Sequence, residues 1–185
     1  MTDAISLFAR YNDHVNRLMF RVLDDVDPEL LNRSVGAYFG SIIGILNHIL
    51  TSGLGWLVHF RDGGIPSQTL MDPTLPLEHP GFGKILHADY STLTAHQREV
   101  DRVILDFVAE LIGSGGDSPG LGPDQVFTYV NRKGEKHRFR VGDVLLHVLN
   151  HATHHRGQIS QILDDAEIEH DYSNVWPLLE EPPVV

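Results

Sequence analysis

Apolar residues return at steps of three and four through four long stretches of this chain, and that period admits few folds. From about 3 to 25 the repeat is Ile5, Phe8, Tyr11, Val15, Leu18, Met19, Val22 and Val26. Side chains at those steps share one face of a helix, so the stretch predicts an amphipathic helix. Thr2 or Asp3 can cap it, and Pro28 lies beyond its end. A second stretch, about 41–61, opens at Ser41, is apolar over a wide arc and closes at Gly63 and Gly64. A third, about 82–112, carries Phe82, Ile85, Leu86, Tyr90, Leu93, Val100, Val103, Ile104, Phe107, Val108 and Leu111. The fourth runs from Val141 to about Asp165. Each apolar face must be buried against another, and four such faces in one chain predict an all-α, four-helix bundle.

The connections are long enough for crossovers. Residues 62–81 hold Gly63, Gly64, Pro66, Pro73, Pro76, Pro80 and Gly81, which reads as a loop. GSGGDSPGLGP, 113–123, interrupts any helix. FTYVNRKGEKHRFRV, 127–141, has two short runs around Arg132, Lys133 and Gly134, the pattern of a small β-hairpin before the last helix. The tail, with Tyr172, Trp176 and three prolines, is expected to pack irregularly over one end. A length of 185 residues predicts a single domain, 1–185.

Charge narrows the partners. Fourteen Lys and Arg against 25 Asp and Glu give a net charge of −11. Nucleic acid and anionic membrane surfaces both call for a basic face, so neither is expected. The N-terminus lacks the basic start and continuous apolar run of a signal peptide. No run of about 18 uninterrupted apolar residues exists, so no membrane span is expected. A soluble cytoplasmic protein is the expectation. The chain has no cysteine, so a bound metal would need His, Asp, Glu or backbone ligands. Of its 12 histidines, His79, His96, His137 and His170 are expected to face solvent.

Four histidines crowd into nine residues of the fourth helix, in 147-HVLNHATHHRGQ-158. Each residue turns a helix by about 100°. With His147 at zero, His151 falls near 40°, His155 near 80° and His154 near 340°. The apolar residues Val144, Val148, Ala152, Ile159, Ile162 and Leu163 lie at about 60–160° on the same count. His155 thus sits inside the apolar arc and His151 at its edge, while His147 and His154 fall outside. Residues four apart bring their side chains together, so His151 and His155 can bind one ion. His48, in 47-NHIL-50, is the natural third candidate. Its stripe also carries Ser41, Ser52, Gly55 and His59, opposite an apolar arc centred near Ile42, Leu46, Leu57 and Phe60. Phase alone lets that stripe face either solvent or a polar cavity. Arg156 falls near 180°, away from the ligands, where an ion pair with Asp13 or Asp143 is expected. Gly157 is expected to permit close helix packing, and Trp56 to lie in the core or an interface.

FARYNDHVNRLM near the start, SIIGILNHILTSGLGWL in the second helix and LLHVLNHATHHRGQI in the fourth together resemble the DinB-like family, also described as damage-inducible or YfiT-like. The correspondence covers about 1–165. The resemblance implies a four-helix bundle, commonly a homodimer, with a divalent metal, nickel or zinc, held by three histidines. Carried onto this sequence, those are His48, His151 and His155. Three histidines with one open position suit a catalytic site. Ser52, followed by Gly53, stands where many relatives carry an acidic residue.

The resemblance implies a metal-dependent enzyme of stress or detoxification acting on a small-molecule substrate, of the low-molecular-weight-thiol S-transferase type. A non-enzymatic metal-binding stress protein and a metal-dependent hydrolase are the alternatives. Hydrolysis would need a base, for which His59, His147 and His154 are available. Asn12, Asn47, Asn150 and Gln158 are candidates for hydrogen bonds around the site.

Overall fold

A computed structural model describes residues 4–36, 38–75, 77–81, 83–113 and 121–179. The elements in chain order are α1 (Ala4–Asp24), α2 (Pro28–Asn32), α3 (Ile42–Asp62), α4 (Tyr90–Gly113), β1 (Val126–Val130), β2 (Lys136–Arg140) and α5 (Val141–Asp165), followed by a single 3₁₀ turn at Trp176–Leu178. The four long helices pack in the ring α1–α4–α3–α5, closed by α5 on α1. The steps α1 to α3 and α4 to α5 therefore cross the bundle, as the long connections permit. The bundle and the hairpin before its last helix are as the hydrophobic period predicts.

Boundaries follow local chemistry. Ser41 caps α3 by accepting from the Gly44 amide at 3.2 Å. The caps expected at Thr2 and Asp3 lie outside the described residues, as does Phe82. The third long helix starts at Tyr90, not near 82. Asp89 accepts from the Thr92 amide at 2.8 Å and from the Ser91 and Thr92 hydroxyls at 2.7 Å, which fixes a helix start there. Ile85 and Leu86 keep the helical period but belong to a loop. Asn47 holds that loop, its side-chain oxygen accepting from the Leu86 and His87 amides and its nitrogen donating to the His87 carbonyl. In the hairpin Phe127 pairs with Phe139 and Tyr129 with His137. Gly134, at φ 79°, makes the turn, and the Asn131 side-chain oxygen accepts from the Lys133 and Glu135 amides.

The core is continuous. Met19, Phe20 and Leu23 of α1, Ile45, Leu50 and Phe60 of α3, Leu93 and Phe107 of α4, and Ile159 and Leu163 of α5 are all buried. Helix α3 is long and apolar enough to cross a membrane by length and composition, but most of it is buried inside the bundle. Ile42, Leu46, Leu57 and Phe60, the wide arc noted in the sequence, are covered within this one chain.

A polar knot crosses the core. Arg156 donates to the side-chain oxygens of Asn12 at 2.6 Å and Asn16 at 3.0 Å, and to the Thr153 hydroxyl at 2.9 Å. Asn12 and Asn16 in turn donate to the Asp101 carboxylate at 3.0 and 2.8 Å, and Gln97 adds a third donor at 2.9 Å. This corrects the pairing expected for Arg156. Asp13 is taken by Arg17 at 3.0 Å, and Asp143 is exposed. Arg156 instead points inward, where a charge left without donors and acceptors would be costly. Over the same end, the buried Tyr172 of the tail reaches the Ser160 hydroxyl at 2.7 Å.

Gly157 does not serve packing. It is exposed in mid-helix, and a Cβ built on it meets nothing within 4 Å. Gly157→Ala should therefore stabilise the protein by about 1 kcal/mol, by removing backbone freedom from the unfolded chain. Urea unfolding of the two proteins under identical conditions checks this.

Candidate metal centre

The sequence sets the site at the seam of α3 and α5. Helical phase turns His155 inward, leaving it 4% exposed, and His151 half-buried beside it. His48 comes from the polar stripe of α3 and is 8% exposed. The three rings converge. The Nε2 atoms of His48 and His151 lie 3.3 Å apart, and those of His155 and His151 3.1 Å apart. One nitrogen from each ring falls within 4.8 Å of the others.

That geometry suits an ion. Two nitrogens each about 2.05 Å from a tetrahedral zinc are about 3.3 Å apart. The tautomers suit it as well. The Gln158 side-chain oxygen lies 2.8 Å from His155 Nδ1. A carbonyl oxygen needs a donor, so Nδ1 carries the proton and Nε2 turns a lone pair to the centre. Burial, reinforced by the neighbouring rings, lowers His48 and His151 to about 4, and burial also lowers His155. All three are neutral near pH 7, the state a metal ligand requires.

Phe39 covers the centre. Its ring stacks on His48 at 3.8 Å between centroids and meets His155 edge-on at 5.4 Å. Gly44 makes this possible, since a Cβ there would collide with the Phe39 carbonyl. The other side is open. A cleft of about 380 Å³ begins at His48 and His151 and follows the α3 stripe past Ser52, Gly55 and Trp56 to His59. Its far wall is Tyr129 to Arg132 of the hairpin. The stripe that phase left undecided thus faces a cavity.

The DinB family model matches residues 1–167. The chain belongs to the DinB family. It is similar to the protein DinB of Bacillus subtilis (strain 168), with 26% identity over 166 residues that make up 90% of this chain and 88% of that one. No solved structure matches it.

Within this DinB-family chain, the three histidines named from the resemblance come together, and Gln158 joins them. His147 and His154 are exposed, as phase placed them, although the His147 ring lies 5.7 Å from His151 and lines the cleft. Asn12 serves the Arg156 knot, Asn47 anchors a loop and Asn150 is exposed, so none of these reaches the centre. Ser52 places its hydroxyl 3.5 Å from His151 Nδ1, the spot from which a carboxylate would orient that ring. Trp56 packs half-buried against the core, as expected, and also lines the cleft, and His79, though exposed, lines it too. His96, His137 and His170 are half-buried rather than solvent-facing.

The lowered imidazoles carry a sign. The unfolded chain takes up protons below its ordinary value of 6.5, whereas the folded chain waits until about 4. Metal-free protein should therefore lose stability from these groups as pH falls from 6.5 towards 4. Asp101, which burial pushes up to about 6, acts oppositely and gains stability on protonation. Urea midpoints of metal-free wild type should fall more steeply between about pH 6.5 and 4.5 than those of His48→Gln/His151→Gln. Parallel profiles would show that the rings are not desolvated.

Proposed function

We propose that this chain is a metal-dependent enzyme of the low-molecular-weight-thiol S-transferase type, acting in stress or detoxification. His48, His151 and His155 would hold a divalent ion, nickel or zinc. The observation that carries this reading is three converging imidazoles at the inner end of an open cleft. A purely structural site is closed by its ligands, whereas this one leaves a side for a reactant. The ion would supply a Lewis acid that lowers the pKa of a thiol or water beside it.

The chain's own residues do the rest. Phe39 shields the outer faces of His48 and His155 from water. Gln158 fixes the proton on His155 Nδ1. Ser52 offers a hydroxyl to His151, and His147 stands at the cleft wall to accept a proton from an entering thiol. That same placement of His147 favours hydrolysis as the second reading, with water in place of the thiol. A homodimer and a cytoplasmic location complete the proposal, supported by the family resemblance and by the absence of cysteine. Light scattering should give about twice the 20.7 kDa chain mass.

Untagged protein should retain, or take up on adding Ni²⁺ or Zn²⁺, about one equivalent of metal by elemental analysis. Loaded protein should conjugate bacillithiol, mycothiol, glutathione or cysteine to monochlorobimane, and His155→Ala should abolish the reaction. Turnover no faster than metal-stripped protein with every thiol would sink the transferase reading. Ester or amide cleavage without thiol would move the assignment to hydrolysis.

A further inference from the structure

The outer half of the cleft has chemistry of its own. The chain carries 25 Asp and Glu and a net charge of −11, yet among the described residues no Asp or Glu lines the cleft. Arg132, His59, His79 and His147 do. An acidic protein that keeps carboxylates out of one cavity and sets a guanidinium and imidazoles there has built a local well for an anion. Asp62, beside His59, is occupied by Arg61 at 3.0 Å.

The two imidazoles are placed and held. The Gly81 amide donates to His79 Nδ1 at 3.1 Å, so in the neutral ring the proton sits on Nε2. That Nε2 is 4.0 Å from where a Gly55 Cβ would stand, which places a donor over the floor of the cleft. Arg61 fixes the approach to this loop by donating to the Leu77 carbonyl at 2.6 Å. His59 is wedged between Tyr129 and His79, at 4.6 and 4.9 Å between ring centroids. Trp56 and Tyr129, 5.1 Å apart, form an apolar wall between these donors and the histidine centre. His48 and His59 are eleven residues apart on one helix, about 16 Å along its axis.

We propose that the outer cleft is a carboxylate-binding subsite, formed by Arg132, His59 and His79, for an elongated substrate whose apolar middle lies on Trp56 and Tyr129. It deepens the proposed function by naming the charge class of the substrate, and its location at the same cleft rests on that reading. The subsite itself needs no metal.

The test uses metal-stripped full-length protein and calorimetry with 3-phenylpropionate, against its neutral amide as the control. The carboxylate should bind in the millimolar range, and the amide about tenfold more weakly, the worth of one hydrogen bond to a charge. Arg132→Gln and His79→Gln, both at exposed positions, should each weaken the carboxylate by about tenfold and leave the amide unchanged. Unchanged melting temperatures would certify that both variants fold. Equal binding of acid and amide, or no binding up to about 20 mM, overturns the subsite. So does carboxylate binding that appears only after metal loading and survives both substitutions, since that would belong to the ion. Failure of the metal reading is separate, and would appear as no Ni²⁺ or Zn²⁺ uptake alongside intact carboxylate binding.

Discussion

Arg156 is a full charge 3% exposed, and much of the bundle is arranged around satisfying it. A guanidinium in so dry a place must have all its donors met, because a buried charge left uncompensated is strongly destabilising. Here the compensation comes from three helices. Asn12 and Asn16 of α1 accept from Arg156 and donate to Asp101 of α4, so two amides carry the interaction between opposite charges. One axial and rotational register of α1, α4 and α5 completes this set. Apolar packing tolerates small slips, whereas hydrogen bonds of 2.6–3.0 Å do not. Since His155 precedes Arg156 in the chain, the same register aims its ring at the seam with α3.

The centre and its cleft divide two tasks along one stripe of α3. At the inner end burial keeps imidazoles neutral and their lone pairs available. At the outer end the loop before α4 and the hairpin before α5 bring in side chains that no helix supplies. The first joins neighbouring helices, α3 and α4, and the second lies on the connection from α4 to α5 that crosses the bundle. Their length is what lets them wrap the open side of the α3–α5 seam, and Asn47 and Arg61 of α3 fasten the first of them.

The helical period displayed the bundle well, because packing faces in this protein are nearly continuous apolar arcs. The pair His151 and His155 was equally visible from phase. His48 was not, since on a helix buried almost all round, a polar stripe reads the same whether it meets water or a cavity. The start of α4 was misplaced because Ile85 and Leu86 keep the apolar period, while the signal that decides, Asp89 with Ser91 and Thr92, is local and polar. The partner of Arg156 could not be read because Asp101 lies 55 positions away and is linked through amides rather than directly. Among the cleft residues, His59 was already placed on the His48 stripe, and Trp56 sits beside that stripe. His79 and Tyr129 are brought in by a loop and a hairpin, which have no helical phase to betray them.

The separation of the three histidines along the chain bears on when an ion could be captured. His151 and His155 are neighbours in any helical fragment, but His48 lies 103 residues from His151. During synthesis His48 precedes its companions by about a hundred residues, so no chain that stops between them offers the full set. A nascent helix alone holds two donors, a weak and readily exchanged grip. If the three histidines hold an ion as proposed, complete coordination would arise only once α3 and α5 have docked, and occupancy would then report on finished folding and tie metal loading to the closing step of the tertiary structure.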